Sequence, residues 1–240
     1  MINHAKGNHQ MKKLGIIGGM SWESTATYYD ILNQGVRARK GGLHSANLLL
    51  YSFDFAEIEA LQSSGKWDEA TDEMIKAGLS LKAGGAEALM IATNTMHKMA
   101  DEVEAAVELP LFHIADATAK AIQTEKVNKP LLLATNFTMT QDFYKGRLRD
   151  KHDIHVLTPD DEDRTLIHNV IYQELCQGVI ASNSKDNYLK IIDKMREKFQ
   201  IDSVIFGCTE IGLLLSQDDM DIATFDTTKI HCDYALDKLI

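Results

Sequence analysis

The sequence has little of what disulfide-rich, zinc-binding and linker-joined proteins need. Among its 240 residues only three are proline and three are cysteine. The cysteines are odd in number and lack CxxC spacing, which argues against a disulfide framework or a structural zinc site and favours a reducing cytoplasm. No Gly-, Ser- or Pro-rich linker interrupts the chain, so its parts are expected to pack tightly.

Positive charge and long apolar runs are also scarce. The chain has 25 Lys and Arg against 35 Asp and Glu, a net charge of −10, with no concentrated basic patch. Such a chain repels nucleic acid and anionic membranes. No apolar run reaches the roughly 18–20 residues of a membrane span. We therefore expect no nucleic-acid and no membrane partner, and a small molecule as the ligand of a globular enzyme.

The first ten residues are polar and lack the apolar centre of a signal peptide. We interpret residues 1–10 as a disordered extension ahead of a natural start at Met11.

A repeated pattern organises the remainder. In residues 88–96 and again in residues 203–211, an apolar run of strand character ends in Thr93 or Cys208, and polar residues and a helical pattern follow. The two positions lie about half the chain apart, as in two copies of one unit. Strand ends of this kind lie at the carboxyl edge of a parallel sheet, where open α/β folds bind small ligands. Two such edges that face each other would form one cleft.

The predicted fold is α/β, with two pseudo-symmetric domains, each a parallel sheet flanked by helices, and the active site in the cleft between them. Residues 11–110 plus 226–240 form the first domain and residues 111–225 the second. The predicted strands are residues 13–17, 46–53, 88–92, 111–114, 131–134, 154–157, 203–207 and 222–225. The predicted helices are residues 22–40, 55–62, 67–83, 96–107, 140–149, 164–176, 185–199 and 228–239.

A glycine-rich turn follows the first predicted strand. Gly18-Gly19-Met20-Ser21 lacks the G-x-G-x-x-G spacing that lets a backbone approach a pyrophosphate, which disfavours nicotinamide or flavin binding. Ser21 is a suitable helix N-cap.

Cys208 is the sharpest candidate for chemistry. A cysteine between a strand end and a helix N-terminus has its thiolate stabilised by the helix dipole and by free N–H groups. The alternative is a small buried core residue. Thr209 and Glu210, which a buried strand would not carry, favour a function. Cys176 and Cys232 lie in predicted helices and are interpreted as core residues.

Thr93 occupies the matching place in the first unit. The alternative is a helix N-cap, a role that Asn94 would also fill. A threonine hydroxyl is a poor general base but can relay or donate a proton. His97, one turn further on, is either a solvated or capping histidine or a proton partner of the site, and the sequence leaves both open.

Several motifs together carry a family resemblance from Met11 almost to the end of the chain. They are MKKLGIIGGMSWEST, the stretch from Asp54 to Gln62, TNTMHK, LPLFHIADAT, FTMTQDFYKGRL, GCTEIGLLL and FDTTKIH. In this order they resemble the aspartate/glutamate racemase family, and most of all its branch specific for L-aspartate and L-glutamate. The resemblance implies two similar α/β domains with the active site between them. It also implies no pyridoxal phosphate, metal or nucleotide, and an acid/base pair, usually two cysteines, with one in each domain.

The sequence departs from that pattern at the first cysteine, where it has Thr93; the L-aspartate/glutamate branch also has threonine there. The resemblance thus implies Thr93 and Cys208 as the catalytic pair. The substrate-binding residues that it implies are Met20, Gln62, Asn94, Thr95, Thr135, Thr138, Thr209 and Glu210. Gln62 stands where some relatives have an arginine for the distal carboxylate, so specificity for acidic substrates is expected to be relaxed.

The predicted function is cofactor-independent racemisation of an amino acid, aspartate or glutamate first, by proton removal and return at Cα. Backbone N–H groups after Thr93 and Cys208 are expected to bind the α-carboxylate and stabilise the carbanion. The alternatives are a single-cysteine decarboxylase or isomerase of the same superfamily, and a non-catalytic amino-acid-binding protein. We also expect a cytoplasmic homodimer.

Overall fold

Two parallel β-sheets follow one another along the chain in the computed structural model, which describes residues 11–240. The predicted extension, residues 1–10, lies outside the described residues. The first sheet has the strand order β2-β1-β3-β4, with β1 Leu14–Gly18, β2 Leu48–Ser52, β3 Ala88–Ile91 and β4 Leu111–Phe112. The second has the order β5-β6-β7, with β5 Pro130–Leu133, β6 Ser203–Phe206 and β7 Ala223–Asp226. The predicted α/β class with parallel sheets flanked by helices is confirmed.

Helices alternate with these strands. They are α1 Trp22–Lys40, α2 Phe55–Ser63, α3 Trp67–Ala83, α4 Ala100–Val107, α5 Ile114–Glu125, α6 Asn136–Thr140, α7 Asp142–His152, α8 Asp161–Gln173, α9 Ser182–Phe199, α10 Ile211–Leu214 and α11 Thr227–Leu239. Short polar side chains set several of their starts: Ser21 accepts the N–H of Ser24, as predicted, and Asp54 accepts that of Ala56. Within residues 11–240 no helix is both long and apolar enough to cross a bilayer.

The central strands are buried on both faces, so they appear in the sequence as almost unbroken apolar runs. Successive residues of a strand point to opposite faces. Ile16 and Met90 therefore pack in the core beneath α1 and α11, whereas Ile17 and Leu89 pack beneath α3 and α4.

The glycine-rich turn after β1 serves close packing. Gly19 has φ +82°, and a Cβ at this position would lie 2.4 Å from the backbone N and O of Phe53. The Gly19 N–H donates to Thr25 Oγ1 at 2.8 Å, and the Phe53 N–H donates to the Gly18 carbonyl at 3.1 Å. Only glycine allows this approach without strain. The turn places Met20 and Ser21 at the carboxyl edge of the first sheet.

The second sheet repeats the order of the first. Leu157 forms a parallel bridge with Leu131 of β5, in the place that β2 takes beside β1. The predicted strand at residues 154–157 is thus wrong in extent, because it hydrogen-bonds to β5 only through Leu157. With this bridge, β1, β3 and β4 correspond to β5, β6 and β7. Thr93 and Cys208 consequently follow equivalent central strands.

The predicted boundary at residue 111 is wrong by one short strand. Leu111 and Phe112 form β4, which pairs with Leu89 and Met90 of β3 in the first sheet. The helix that follows each edge strand packs against a helix of the other half of the chain. Helix α5, after β4, packs against α7, and α11, after β7, packs against α1. The helices α5 and α11 also pack against each other. This exchange ties the two halves of the chain together.

Three predicted helices differ in detail. The helix predicted from residue 96 begins as a 3-10 turn, Thr95–Met99, before α4. The segment predicted as residues 140–149 is divided between α6 and α7. The helix predicted at residues 164–176 is α8, which starts earlier because Asp160 caps it and which ends at Gln173. A separate 3-10 turn, Leu175–Gln177, follows it, so Cys176 is not part of α8.

Candidate active site

A small cavity lies where the carboxyl ends of the two sheets converge. Its lining comes from both halves of the chain: Met20, Phe55, Gln62, Thr93, Asn94, Thr95, Thr135, Ile171, Tyr172, Cys176, Gly207, Cys208 and Glu210. About 340 Å³ is free of atoms, and about 20 Å³ of this can hold the centre of a water molecule. That is room for roughly one water. The cavity is therefore in a closed state.

A larger groove elsewhere is a weaker candidate. It lies between α5, α11 and β7 and offers about 520 Å³ to water centres. Its lining has no cysteine or histidine, and no strand end of the first sheet reaches it. Position at the paired strand ends, rather than size, identifies the smaller cavity as the site.

Eight of the ten residues that the sequence assigned to the site line the cavity. They are Met20, Gln62, Thr93, Asn94, Thr95, Thr135, Cys208 and Glu210. The other two support it from behind. Thr138 is fully buried and its hydroxyl lies 3.2 Å from that of Thr135 and 3.4 Å from that of Thr95, whereas Thr209 donates to Glu210 Oε2 at 2.7 Å.

Thr93 and Asn94 present free polar atoms to the cavity. Within the described residues the Thr93 hydroxyl makes no hydrogen bond, and the 3-10 turn that follows has Asn94 at its N-cap position without a side-chain cap bond. Asn94 Nδ2 donates to Thr227 Oγ1 at 3.1 Å, and this hydroxyl donates to the Phe206 carbonyl. Among the described residues, Asn94 Oδ1 is buried without a hydrogen-bond partner. An unsatisfied buried acceptor in a cavity is a place for a ligand's N–H group.

Cys208 and Glu210 form a hydrogen-bonded pair. Cys208 Sγ donates to Glu210 Oε2 at 2.9 Å, and Ser21 Oγ, from the first half of the chain, donates to Oε1 at 2.7 Å. With Thr209, this buried carboxylate thus accepts three hydrogen bonds. Burial first, and the Glu210 carboxylate second, raise the pKa of the Cys208 thiol well above its usual range.

The expected thiolate at a helix N-terminus is therefore not what the closed site contains. The helix after Cys208 is α10, a single turn that begins three residues later at Ile211. A dipole effect of one short turn is small beside an adjacent carboxylate. In this state Cys208 is a thiol with its proton directed at Glu210.

Of the roles that the sequence left open for His97, the structure matches capping, because this ring accepts the first N–H of α5. The ring is buried, and burial lowers its pKa to about 3. Nδ1 lies 2.7 Å from the Thr93 carbonyl oxygen, and Nε2 accepts the Ile114 N–H at 3.2 Å. His97 does not line the cavity. It is neither solvated nor in reach of a ligand there.

Aromatic and amide side chains close the cavity. Tyr172 of α8 donates its hydroxyl to Gln62 Oε1 at 3.2 Å, and its ring stacks on Phe55 of α2 with centroids 6.3 Å apart. Gln62 Nε2 also contacts Met96 Sδ at 3.0 Å. The two contacts of Tyr172 join the first half of the chain to the second.

Sequence reasoning missed five lining residues: Phe55, Ile171, Tyr172, Cys176 and Gly207. Cys176 packs against the core, as interpreted, but this half-buried thiol also lines the cavity. Burial, and then the nearby carboxylates Glu210 and Glu23, raise its pKa. In the sequence, Cys176 shares a helical register with the apolar residues Leu175 and Ile171 and therefore resembles a core residue. The sequence does not show that α8 ends at Gln173, before Cys176.

The lining contains no lysine, arginine or histidine. Among residues 11–240 no group of three His, Cys, Asp or Glu side chains is arranged to hold a metal ion. The polar atoms that face a ligand are thus hydroxyls, amides, thiols and the Glu210 carboxylate.

Equivalent strand ends thus bring two different proton-carrying groups, Thr93 and Cys208, to one cavity. The chain matches the family model described as Asp/Glu/Hydantoin racemase over residues 17–235. It belongs to this family, which confirms the resemblance seen in its motifs, and it is an isomerase that acts on amino acids.

Two solved structures are similar over nearly the whole chain. A candidate Asp/Glu racemase from Yersinia pestis is 52% identical with a TM-score of 0.88, covering 95% of this chain and 99% of that one. An aspartate racemase homologue from Pyrococcus horikoshii OT3 is 35% identical with a TM-score of 0.83 and the same coverage. Among curated proteins, the broad specificity amino-acid racemase RacX of Bacillus subtilis (strain 168) is 20% identical over 226 residues, which are 90% of this chain and 92% of RacX.

Proposed function

We propose that this protein racemises free amino acids, aspartate and glutamate among them, by moving the Cα proton between Thr93 and Cys208. One observation carries the proposal: the two residues follow the equivalent central strands β3 and β6 and line the same cavity. Groups brought from two sheets to one cavity can address the two faces of a single carbon, as racemisation requires.

The lining suggests how the substrate is held. The α-ammonium group donates to Asn94 Oδ1, the buried acceptor that has no partner within residues 11–240. The α-carboxylate lies against backbone N–H groups that follow Thr93 and Cys208, which also stabilise the negative charge that develops when the Cα proton leaves. A distal carboxylate would meet no cation in the lining. We therefore propose that acidic substrates are accepted and that specificity for them is relaxed.

Cys208 is a thiol at rest, so it first acts as a proton donor. For one enantiomer the Thr93 hydroxyl first loses its own proton to solvent water, the alkoxide takes the Cα proton from one face, and the Cys208 Sγ–H delivers its proton to the other face of the carbanion. In the opposite direction, the Sγ–H proton passes along the 2.9 Å hydrogen bond to Glu210, and the resulting thiolate removes the Cα proton. The raised pKa makes this thiolate a strong base once it forms.

Replacing Cys208 tests the assignment. Cys208→Ser substitutes a hydroxyl that does not ionise near neutral pH, so racemisation of either enantiomer should fall by about 10²–10⁴, the usual effect of losing a positioned acid or base. Polarimetry on both enantiomers of a set of amino acids measures the rate. Cys232→Ala is the matched control, because Cys232 is fully buried beneath α1 and does not line the cavity. Racemisation by Cys208→Ser within tenfold of the wild type would reject the role.

A decarboxylase is the second candidate function. The observation that favours it is the unlike pair: one cysteine faces a threonine whose hydroxyl has no partner among the described residues. A single thiol suffices to protonate the enolate left by loss of carbon dioxide. Release of carbon dioxide from a substituted malonate, without exchange of the Cα proton of amino acids, would select this function. A protein that does neither is an amino-acid binder.

The cellular and oligomeric assignments belong to the same proposal. Three free thiols, two of them in the cavity, fit a reducing cytoplasm. A homodimer is proposed, and light scattering coupled to gel filtration measures it directly.

A further inference from the structure

Three buried histidines form a cluster behind Thr93. The ring centroid of His97 lies 4.6 Å from that of His113 and 5.6 Å from that of His231, and all three side chains are at most 4% exposed. None of them lines the cavity. Racemisation through Thr93 and Cys208 leaves this cluster without a role.

The hydrogen bonds of His97 fix its tautomer. A neutral imidazole carries one N–H and one acceptor nitrogen. Because Nε2 accepts the Ile114 N–H at 3.2 Å, the ring proton lies on Nδ1, which donates to the Thr93 carbonyl oxygen at 2.7 Å. His97 thus links Thr93, two residues after the end of β3, to the first residue of α5.

The segment that contains Ile114 is also held by a second buried histidine, His231. His231 Nε2 lies 2.6 Å from the Phe112 carbonyl oxygen, and its Nδ1 lies 3.0 Å from the Tyr28 hydroxyl. A carbonyl only accepts, so His231 carries its proton on Nε2 and accepts the tyrosine hydroxyl at Nδ1. The Phe112–Ile114 connection is therefore fixed between α1, α11 and His97. A rigid support of this kind is what a positioned catalytic group needs.

The bond to His97 also orients the peptide after Thr93. A peptide group is planar and trans, so its C=O and the next N–H point in opposite directions. With the Thr93 carbonyl held toward the buried His97, the Asn94 N–H points away from that histidine. The same hydrogen bond fixes the backbone that carries the Thr93 hydroxyl.

We infer that His97 is a positioning residue that holds the Thr93 hydroxyl in register with the substrate. The inference rests on the proposed racemisation. A histidine that only fills space would support both faces of the site alike. A positioning residue for Thr93 acts selectively on the proton transfer that Thr93 performs.

Exchange of the Cα proton in deuterated water separates these two roles. In Thr93→Ala, one enantiomer should still exchange through Cys208 while the other nearly stops, and this identifies the enantiomer that depends on Thr93. His97→Leu removes the Nδ1 donor and should slow exchange of that same enantiomer by about 10- to 100-fold, as small misplacements of a reacting group do. Exchange of the enantiomer that depends on Cys208 should stay within about threefold of the wild type.

Two amides provide a matched pair if His97→Leu does not fold. The amide nitrogen of Asn can take the place of Nδ1, and that of Gln the place of Nε2. His97→Asn should thus retain most of the selective exchange, and His97→Gln should lose it. His113→Leu is the cluster control: His113 accepts the Ala115 N–H and does not contact Thr93, so its loss should lower the melting temperature without favouring one enantiomer.

The role of His97 and the proposed racemisation are rejected by different results. Equal loss for both enantiomers, no loss in His97→Leu, or equal behaviour of His97→Asn and His97→Gln would overturn the inference while leaving racemisation intact. A wild-type protein that exchanges the Cα proton of no amino acid would reject the proposed function, and this inference with it.

Discussion

Glu210 controls the acidity of Cys208 by direct contact. The Glu210 carboxylate accepts a hydrogen bond from the Cys208 thiol, with 2.9 Å between Sγ and Oε2. After burial, it is the largest cause of the raised pKa of Cys208. The neighbouring Cys176 is subject to the same two causes in the same order. Both thiols of the cavity are thus protonated and poorly nucleophilic at neutral pH, which protects them from adventitious alkylation between turnovers.

Glu210→Gln should make Cys208 more reactive. The substitution keeps the shape of the side chain and removes its charge, so the pKa of Cys208 should fall, although burial will keep it above the usual range. Iodoacetamide labelling followed by peptide mass spectrometry should show slow labelling of wild-type Cys208 near pH 8 that increases toward pH 10. In Glu210→Gln this increase should shift to lower pH. Cys232, fully buried, is the internal control; an unchanged pH profile for Cys208 would contradict the electrostatic account.

Residue chemistry was predictable where it depended on local sequence and not where it depended on contacts. Thr93 and Cys208 follow apolar strands and precede polar residues, which the sequence displays directly. The raised pKa of Cys208 comes from burial and from Glu210, and a linear pattern shows neither the direction of a side chain nor the length of α10. The sequence left His97 between two roles because its partners, Thr93 and Ile114, include one 17 positions away.

At the element scale, local patterns predicted the long helices and the buried central strands. The edge strands were harder to assign, because β4 has two residues and its membership depends on pairing with β3. Helix α5 was missed although a signal exists: Ile114, Thr118 and Ile122 are buried at a spacing of four, behind His113 as the cap. Non-local pairing is the part of the fold that sequence periodicity does not contain.

The histidine cluster that joins these elements should make the fold sensitive to acid. Burial lowers the pKa of His97 to about 3 and of His231 to about 4, from an ordinary 6.5. Between pH 6.5 and these lowered pKa values, the unfolded chain binds protons at the two histidines that the folded chain does not bind. The free energy of unfolding should therefore decrease as pH falls from about 6.5 toward 4, by up to about 1.4 kcal/mol per pH unit for each histidine.

Urea unfolding at a series of pH values measures this slope. The pKa of Asp116 is lowered below 3.8, so the stability that this carboxylate contributes is lost only at still lower pH. Above pH 4 the slope of the free energy of unfolding therefore comes from the histidines. His155→Gln is the control, since this side chain is 74% exposed and should leave the slope unchanged. Constant stability from pH 7 to pH 5 would show that the buried rings are not neutral in the fold.

At the scale of the whole molecule, the sequence repeat indicated two halves that face each other, but not how they are held together. Helices α5 and α11 cross between the halves, and Ser21 reaches Glu210 across the site. Trp67 of α3 packs edge-on against Phe137 of α6, with ring centroids 5.4 Å apart. These contacts join residues far apart in the chain and leave no periodic trace. The cavity between the halves has room for roughly one water, so we expect the halves to separate when an amino acid enters.

The contact between α2 and α8 can be weakened by removing a single atom, the hydroxyl oxygen of Tyr172. Tyr172→Phe removes the hydroxyl that donates to Gln62 at 3.2 Å and keeps the ring that stacks on Phe55. A hydrogen bond of this kind contributes about 0.5–1.5 kcal/mol, so the open state should become up to about tenfold more populated. Labelling of Cys208 and of Cys176 by iodoacetamide should then rise by one common factor at every pH. Glu210→Gln, by contrast, should shift the pH dependence itself, so the two variants separate access from acidity. If Tyr172→Phe leaves both labelling rates unchanged, the cavity opens by a movement that does not separate α2 from α8, and Trp67 against Phe137 becomes the contact to release.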